Sequence, residues 1–519
     1  MASARRLVVL SAVLAALAAA APAGAQPYAN VDFTVTSSFG ARIRAYFTPA
    51  SGLEQGERAP TVLLGSGWSA PAYPRTLGEV GQTSLGPLGS FGGELPGPAA
   101  LTADGYNVIT WDNRGWYGSG GQVMLDRPEV EGRDVSALID WLAEHPAAEL
   151  DGPGDPRVGM AGASYGGGVQ LAAAIVDDRI DAIIPNMSWY SLIDSLYPNE
   201  TIKSGWGNYL CFAALITGAN LHRMVDQMCE SARAGWASRA EIEFGEASSP
   251  GPRIGEIKAP ALILGGTVDT LFPLQGNVDT YNALRRAGTP ARMIWYCGGH
   301  GLCNQHPGPA GHVADAQRAF LARYLKGLDV DLGPGFQYVD QHGAWRSADS
   351  YPIPTTGSVS GRGEGWLPLS FFSSSGLLGI VATPAFNAIN IPIDPPRTSV
   401  DVTEPPRLRL SYQGWATMGS APVFAQLVDT TTGKVLGNIS TPVQLKLDGE
   451  QHSVEADLAI VPWNLTPSSR ITLQITDGSN LFFGQMALGL VWLQAEVTLP
   501  THRPGEPVHS AAAAAAARR

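Results

Sequence analysis

The chain has 519 residues, of which 45% are hydrophobic and 15% are charged, and this composition excludes a largely disordered protein. Its length exceeds what one ordinary hydrophobic core accommodates, so we expect more than one domain. The formal net charge of -12 repels polyanions and excludes nucleic acid as a partner.

The N-terminal residues have the pattern of a secretory signal peptide. Arg5 and Arg6 precede an apolar run over 7–21, and small residues follow at 23–25. We therefore expect a signal peptide over 1–25 and a secreted protein, either periplasmic or extracellular. A membrane anchor is the alternative, but the run is short for a span of about 20 residues. No later stretch is apolar and long enough to predict a stable membrane span.

Four cysteines in an exported chain suggest two disulfides. Four cysteines permit three pairings. Proximity in the sequence favours Cys211 with Cys229 and Cys297 with Cys303. The alternative is four buried thiols. The cysteine spacing fits no strong zinc-binding pattern.

Strand and helix patterns alternate through the first third of the chain. Short apolar runs predict buried strands at 61–64, 107–111 and 158–161. Apolar residues at helical spacing predict helices at 133–145 and 169–175. This alternation is typical of a parallel sheet covered by helices on both faces.

The alternation stops between residues 188 and 258, where aromatic residues are frequent and no strand pattern is visible. We interpret this segment as a helical cap inserted over a pocket. The aromatic rings either contact substrate or fill the cap's own core, and we expect some to do each. Trp189, Tyr190 and Trp206 are the candidates for substrate contact.

The strand and helix pattern resumes with strands at 261–264 and 292–296 and a last helix at 313–325. These elements complete an α/β domain predicted to span 26–350. A segment rich in Pro, Gly and Ser follows, and we predict a linker over 351–365.

Beyond the linker, short alternating runs such as 408–412 and 471–475 are separated by turn residues. Regular short strands with turn signals predict an antiparallel all-β domain, a jelly roll, over 366–500. The terminal segment 501–519 ends in an alanine run and is predicted to be a disordered tail.

The pentapeptide over 162–166, Gly-Ala-Ser-Tyr-Gly, matches the G-x-S-x-G pattern between a predicted strand and a predicted helix. This context is that of a nucleophile elbow, in which a sharp turn presents a serine hydroxyl to a base. Glycines on both sides allow such a turn without a Cβ clash. Ser164 is therefore the candidate nucleophile.

A serine nucleophile needs a base and a carboxylate that orients the base. In this architecture both follow later strands, in the order serine, acid, histidine. Asp269 follows the strand at 261–264, and His300 follows the strand at 292–296. His306 and His312 compete with His300 but lie farther from the strand end. An exposed structural role is the alternative for all three histidines.

Hydrolysis also requires two hydrogen-bond donors for the oxyanion of the tetrahedral intermediate. The backbone N–H of Tyr165, immediately after the nucleophile, is one expected donor. The second donor is expected from the loop after the strand at 61–64, at Gly67 or Trp68. A backbone N–H is the simpler choice, and the indole N–H of Trp68 is the alternative.

These motifs together resemble the X-Pro dipeptidyl-peptidase and cocaine esterase family. The resemblance rests on the elbow and following glycine at 162–167, on Asp-Asn-Arg-Gly at 112–115 with Gly118 and Ser119, on the helical insertion and on the C-terminal β-domain. It covers about 28–500. It implies an α/β-hydrolase core, a helical cap, a jelly roll and a triad at the serine, aspartate and histidine proposed above.

The resemblance leaves two features open. Cocaine-esterase-like relatives use a tyrosine hydroxyl as an oxyanion donor, whereas this chain has Gly67 and Trp68 at that place and Tyr73 is shifted. A dipeptidyl-peptidase recognises a free α-amine through a carboxylate in the cap. Asp194 and Glu200 are candidates, and ordinary solvated charges are the alternative.

The sequence thus predicts a secreted serine hydrolase that needs no metal or organic cofactor and acts on a small ester, amide or peptide. A lipase or polyesterase acting at an apolar surface is a second hypothesis. A non-catalytic surface protein whose jelly roll binds carbohydrate is a third. The sequence does not predict the oligomeric state.

Overall fold

A computed structural model describes the chain over residues 26–72, 95–370, 379–482 and 487–508. Three sequence predictions fall outside these residues, namely the signal peptide 1–25, the position of Tyr73 and the part of the predicted tail from 509 to 519. No helix in the described ranges is both long and apolar enough to span a bilayer.

The described residues up to 350 build one large sheet and a small hairpin. Their strands are β1 Val31–Thr36, β2 Arg42–Thr48, β3 Thr61–Gly65, β4 Asn107–Trp111, β5 Leu150–Gly152, β6 Asp155–Pro156, β7 Val158–Ala163, β8 Ile180–Asn186, β9 Ala261–Gly266, β10 Ala291–Tyr296, β11 Phe336–Val339 and β12 Trp345–Ala348. β5 and β6 form the separate hairpin.

The large sheet is parallel in its centre and antiparallel at both ends. Its order is β1-β2-β4-β3-β7-β8-β9-β10-β11-β12, and every pair from β4 through to β11 is parallel. The central strands β3, β4 and β9 are buried at every residue, because helices cover both faces. The carboxyl ends of β7, β9 and β10 therefore meet at one edge of the sheet, which is where the candidate site lies.

Nine helices are described in the same part of the chain. They are α1 Pro98–Ala103, α2 Arg133–Ala143, α3 Tyr165–Val176, α4 Leu192–Leu196, α5 Ser204–Ile216, α6 Arg223–Ala234, α7 Arg239–Ala247, α8 Leu274–Ala287 and α9 His312–Leu325. Short 3-10 turns lie at Ser38–Gly40, Pro198–Glu200 and Gly251–Glu256, and a π turn at Pro128–Gly132 precedes α2.

Alternate residues of the central strands enter two different cores. Leu63 and Ile263 face α2, α3 and α8, whereas Leu64 and Leu264 face α1 and α9. The period-2 alternation of a strand thus distributes its apolar side chains over both helix layers. The predicted helices at 133–145, 169–175 and 313–325 fall within or one to two residues beyond α2, α3 and α9.

The predicted cap segment 188–258 contains α4, α5, α6 and α7 and no strand in its described residues. Its helices pack on each other through α5 with α6 and α4 with α7. α7 begins with a capping box between Ser238 and Glu241. A disulfide between Cys211 and Cys229 joins α5 to α6.

The C-terminal part is an all-β domain of antiparallel strands. Its strands are β13 Gly357–Leu369, β14 Ala388–Pro392, β15 Val400–Val402, β16 Arg407–Asp429, β17 Lys434–Val435, β18 Thr441–Asp457, β19 Trp463–Leu465, β20 Ile471–Thr476 and β21 Gly489–Thr501, with 3-10 turns at Leu436–Asn438 and Asn480–Phe482. The larger sheet has the order β13-β21-β16-β20-β14, with β17 and β18 on β16. The last strand of the described chain, β22 Glu506–Pro507, joins the large sheet of the α/β domain instead.

Two boundaries differ from the sequence predictions. β13 begins at Gly357, inside the predicted linker 351–365, because its glycine-rich residues pair with β21. The run at 408–412 is the start of a longer strand, β16, which continues to Asp429 and carries register shifts between Gln413 and Ser420.

The predicted disordered tail also needs correction over residues 501–508. Thr501 ends β21, His502 bridges to Asp401, and β22 pairs with β12 as the last strand of the hydrolase sheet. The end of the described chain therefore crosses back to the α/β domain. Backbone pairing with Asp401 and with β12 places this segment there, and composition alone does not reveal that pairing.

Candidate active site

Ser164 occupies the turn between β7 and α3 with φ 58° and ψ -120°. A positive φ in a non-glycine residue is strained and needs support from its surroundings. Here β3 supplies that support by passing very close to the turn. A Cβ added at Gly162 would lie 2.6 Å from the Gly65 carbonyl oxygen, and one added at Gly166 would lie 2.0 Å from it. Both glycines of the pentapeptide are therefore required by packing.

His300 connects Ser164 to Asp269. The Ser164 Oγ lies 2.8 Å from His300 Nε2, and His300 Nδ1 lies 2.8 Å from Asp269 Oδ2. The other carboxylate oxygen accepts the backbone N–H groups of Leu271 at 3.0 Å and Phe272 at 2.7 Å. With its proton on Nδ1, the imidazole presents a lone pair to the serine hydroxyl. The structure thus brings together the three residues that the sequence singled out.

The competing histidines have other partners. His306 Nδ1 accepts the backbone N–H of Gly308 at 3.1 Å, and His312 Nε2 lies 2.9 Å from the Gln337 side-chain oxygen at the start of α9. Of the three candidate histidines, His300 is the one hydrogen-bonded to Ser164.

Rings and a disulfide surround the imidazole. Cys297 and Cys303 are bonded to each other and close a short loop that contains His300. The ring of Trp206 lies 5.7 Å and that of Phe272 lies 5.2 Å from the imidazole, centroid to centroid, and both meet it edge-on. His300 is 6% exposed. The disulfide and the two rings together restrict the orientation of the base.

The expected oxyanion donors lie beside the nucleophile. The backbone N–H of Tyr165 is the first of α3, at the helix end that carries partial positive charge. The loop with Gly67 runs along the elbow, since a Cβ there would be 4.0 Å from the Ala163 carbonyl oxygen. The indole N–H of Trp68, however, donates to the Leu210 carbonyl oxygen in the cap at 2.9 Å. This indole is already engaged, which leaves the backbone of this loop as the candidate second donor.

The three aromatic residues predicted to contact substrate have three different positions. Trp189 lines a cavity that also contains Ser164. Tyr190 does not line it, and its carbonyl oxygen accepts the Gly251 N–H at 2.9 Å. Trp206 lies against His300 and donates its indole N–H to Thr270 Oγ1 at 2.9 Å. Trp189 thus lines the cavity, Trp206 contacts the imidazole of His300, and Tyr190 lies outside the cavity. Substrate contact by any of the three stays a prediction.

The cavity beside Ser164 has a volume of about 140 Å³ and lies between the sheet edge and the cap. Its walls are mainly apolar and come from the core and from α4 to α7, with residues that include Trp68, Leu125, Leu192, Leu210, Val225, Met228 and Phe272. Lys203 and Glu241 also line it. Such a shape accepts a small apolar group next to the nucleophile.

Lys203 is a site residue that the sequence analysis missed. It immediately precedes α5, is only 2% exposed, and donates from Nζ to the Leu271 carbonyl oxygen at 2.9 Å. Burial lowers the pKa of its ammonium to about 7, although the charge of Asp269 opposes this shift. The sequence offered one signal for it: the predicted cap contains only two lysines, Lys203 and Lys258.

A buried acidic group lies behind the elbow. The Tyr165 hydroxyl accepts the backbone N–H of Asp126 at 3.2 Å and lies 3.5 Å from Glu131 Oε1. Burial, reinforced by the nearby charge of Asp134, raises the pKa of Glu131 to about 8. Burial also raises the pKa of Asp126 well above its ordinary value. The Tyr165 hydroxyl therefore lies between the Asp126 backbone and the carboxyl group of Glu131, whose raised pKa favours the protonated form.

The C-terminal domain contacts the loops that carry the acid and the base. Asn438 Nδ2 donates to the Leu302 carbonyl oxygen at 3.4 Å, and Lys434 Nζ donates to the Asn304 carbonyl oxygen. On the acid loop, Thr270 Oγ1 donates to the Ile380 carbonyl oxygen at 2.7 Å. These contacts join segments more than 100 residues apart, so local sequence patterns do not predict them.

Comparison with known proteins agrees with this geometry. The family model described as X-Pro dipeptidyl-peptidase (S15 family) matches residues 40–305, about half of the chain. The chain belongs to this family. The match includes the elbow, the cap, Asp269 and His300, and the family resemblance proposed from the motifs is confirmed.

Solved structures share the fold of this family member over nearly its whole length. A CocE/NonD family hydrolase from Staphylococcus aureus has a TM-score of 0.66 at 14% identity, covering 91% of this chain and 93% of its own. An α-amino acid ester hydrolase has a TM-score of 0.62 at 14% identity, and the match covers 93% of this chain and 98% of that protein. An aminopeptidase from a Thaumarchaeota archaeon has a TM-score of 0.63 at 15% identity, and the match covers 92% of this chain and 97% of that protein. The predicted α/β-hydrolase fold with cap and C-terminal β-domain is confirmed.

One curated sequence relative matches a short segment of the chain. An uncharacterised 31.7 kDa protein of Escherichia coli is 29% identical over 90 residues. The match covers 17% of this chain and spans 30% of the length of that protein. It adds no information on activity.

Proposed function

We propose that this protein is a secreted serine hydrolase that cleaves an ester or amide bond through an acyl-enzyme on Ser164. The observation that carries this proposal is the continuous hydrogen-bonded relay from Ser164 through His300 to Asp269, at the wall of an apolar cavity. Membership in the X-Pro dipeptidyl-peptidase family supports it. The signal-like N-terminus and two disulfides support export.

The mechanism follows from the relay. His300 Nε2 accepts the hydroxyl proton as Ser164 Oγ attacks the substrate carbonyl carbon, and Asp269 stabilises the resulting imidazolium. The oxyanion accepts a hydrogen bond from the Tyr165 N–H and a second from the backbone of Gly67 or Trp68. His300 then protonates the leaving alcohol or amine. Water attacks the acyl-enzyme with His300 as the base, which releases the acid and restores Ser164.

The environment of the site favours acyl substrates without a free α-amine. Asp194 and Glu200, the carboxylates considered for amine recognition, are both exposed and do not line the cavity. The carboxylate that does line it, Glu241, accepts hydrogen bonds from Ser231 and Ser238. We therefore place ester and acyl-amide hydrolysis ahead of X-Pro dipeptide release.

A lipase or polyesterase is the second candidate, because one surface of the cap is apolar. Phe212, Leu215 and Ile216, near the end of α5, are 60%, 77% and 63% exposed. The same helix contributes Leu210 to the cavity wall. An apolar surface beside the cavity is what adsorption to a lipid or polymer would use.

The test compares p-nitrophenyl butyrate, an Ala-Pro anilide and an insoluble polyester, using the mature protein and Ser164→Ala. Loss of a triad nucleophile lowers turnover by about 10³-fold or more. Ser51→Ala, at an exposed position between β2 and β3, is the matched control and should keep full activity. Retention of more than a tenth of the activity by Ser164→Ala would refute the proposal. Glycan binding without hydrolysis of any substrate would favour the non-catalytic carbohydrate-binding hypothesis.

A further inference from the structure

Lys203 is a buried cation with little to neutralise it. Its Nζ makes one hydrogen bond to the described part of the protein, with the Leu271 carbonyl oxygen. An ammonium has three N–H donors, so this leaves donor capacity for a further acceptor. Lys203 and Leu271 both line the cavity that contains Ser164. Lys203 therefore belongs to the wall of the cavity beside the proposed nucleophile.

The carboxylates near this cation are already engaged. Asp269, whose charge acts on Lys203, gives one oxygen to His300 and the other to two backbone N–H groups. Glu241, on another wall, accepts Ser231 Oγ at 2.6 Å and the Ser238 N–H at 2.8 Å. A buried ammonium without an ion-pair partner is destabilising. An anion bound in the cavity would remove that penalty.

We propose that Lys203 makes this cavity selective for acyl groups that end in a carboxylate, so that the preferred substrates are monoesters or monoamides of dicarboxylic acids. The inference rests on the proposed function and adds the substrate class. The apolar walls contact the methylene chain, and the ammonium pairs with the terminal carboxylate. An acyl group with a free α-ammonium is disfavoured, because it would place a second cation near Lys203.

The first test compares three esters of one leaving group: mono-p-nitrophenyl glutarate, p-nitrophenyl butyrate and the p-nitrophenyl ester of alanine. At pH 6 we expect the highest kcat/KM for the glutarate and the lowest for the alanine ester. Lys203→Met should lower the glutarate-to-butyrate ratio of kcat/KM by about 10- to 100-fold, the range for a hydrogen bond to a charged group. Lys258→Met is the matched control, because that lysine is exposed and pairs with Asp178.

The second test uses the wild-type protein alone and so does not depend on the folding of a variant. The glutarate carboxylate stays ionised above pH 6, whereas Lys203 loses its charge as pH rises through about 7. The glutarate-to-butyrate ratio should therefore fall between pH 6 and pH 9. Both esters use the same Ser164, His300 and Asp269, so the common chemical steps cancel in the ratio. Glu241 has a lowered pKa and stays ionised throughout.

The outcomes separate this inference from the proposed function. Hydrolysis that requires Ser164 but shows no pH-dependent preference for the glutarate would overturn the role of Lys203 and leave the serine hydrolase intact. An unchanged ratio in folded Lys203→Met would do the same. A purely structural role predicts a lower unfolding free energy in Lys203→Met with the ratio preserved. Absence of hydrolysis of all three esters would overturn the proposed function and this inference with it.

Discussion

Removal of the disulfide between Cys297 and Cys303 should affect catalysis more than stability. The two cysteines are 6 residues apart, and the loop-entropy relation assigns such a bridge about 2 kcal/mol of stability. The cap disulfide, Cys211 with Cys229, spans 18 residues, and the same relation assigns it about 3 kcal/mol. The shorter bridge thus contributes less to stability, yet its loop carries His300.

The expected result follows from the position of the base. Without the bridge, the loop over 297–303 is held by the rings of Trp206 and Phe272 and by contacts from the C-terminal domain. Misplacement of a catalytic group by about 1 Å costs up to about 10²-fold in rate. We expect Cys297→Ala/Cys303→Ala to lower kcat by about 10- to 100-fold and the free energy of unfolding by about 2 kcal/mol.

Two assays on two double variants decide the matter. Urea unfolding gives the stability change, and p-nitrophenyl butyrate hydrolysis gives kcat. Cys211→Ala/Cys229→Ala is the matched control, for which we expect the larger loss of stability and the smaller loss of kcat. If the Cys297→Ala/Cys303→Ala variant keeps kcat within about twofold while folded, the bridge does not position His300 and the reasoning fails.

Two further predictions concern the surroundings of Tyr165. Trp68→Phe removes the indole N–H, which is hydrogen-bonded to the Leu210 carbonyl oxygen. Because that N–H is already engaged, kcat should change by less than about threefold. A loss of about 10²-fold or more in kcat would identify the indole as an oxyanion donor. Because the folded pKa of Glu131 is about 8, above its ordinary value, wild-type stability should fall as pH rises through 8, and Glu131→Gln should remove part of that fall. Urea unfolding of both proteins at pH 6 and pH 9 measures the fall in the free energy of unfolding. An equal fall in wild type and Glu131→Gln would contradict the raised pKa of Glu131.

The hydrogen-bonded arrangement of Ser164, His300 and Asp269 was predictable because it follows from chain order. Ser164, Asp269 and His300 each follow a central strand, and the carboxyl ends of parallel strands meet at one edge of a sheet. The sequence pattern also predicts the glycines beside Ser164. In the structure, the close approach of β3 leaves no space for a Cβ at these positions. Local spacing was also sufficient for the disulfides, each of which joins cysteines that are neighbours in the sequence.

The surroundings of the triad were not predictable in the same way. Trp189 and Tyr190 are adjacent, yet one lines the cavity and the other contacts Gly251, because a turn after a strand has no fixed side-chain period. The partner of the Trp68 indole is Leu210, which is 142 residues away. Such contacts depend on how the cap and the core pack, and no local pattern encodes that packing.

Lys203 illustrates the same limit. A lysine in an amphipathic cap is normally read as a solvated charge. Its burial depends on the loop of Asp269 and on the cap helices, which lie together only in the folded protein. The pairing of β22 with β12 is a comparable case, because a short strand beside a low-complexity tail has no sequence signal of its own.

The central claim is that Ser164 is an activated nucleophile, and active-site labelling tests it most directly. The protein is treated with a fluorophosphonate, digested and mapped by mass spectrometry. We expect one stoichiometric adduct on the peptide with Ser164, and we expect it to disappear in His300→Ala because the base is lost. Failure to label Ser164 in the folded wild-type protein, or an equally fast adduct in His300→Ala, would contradict it.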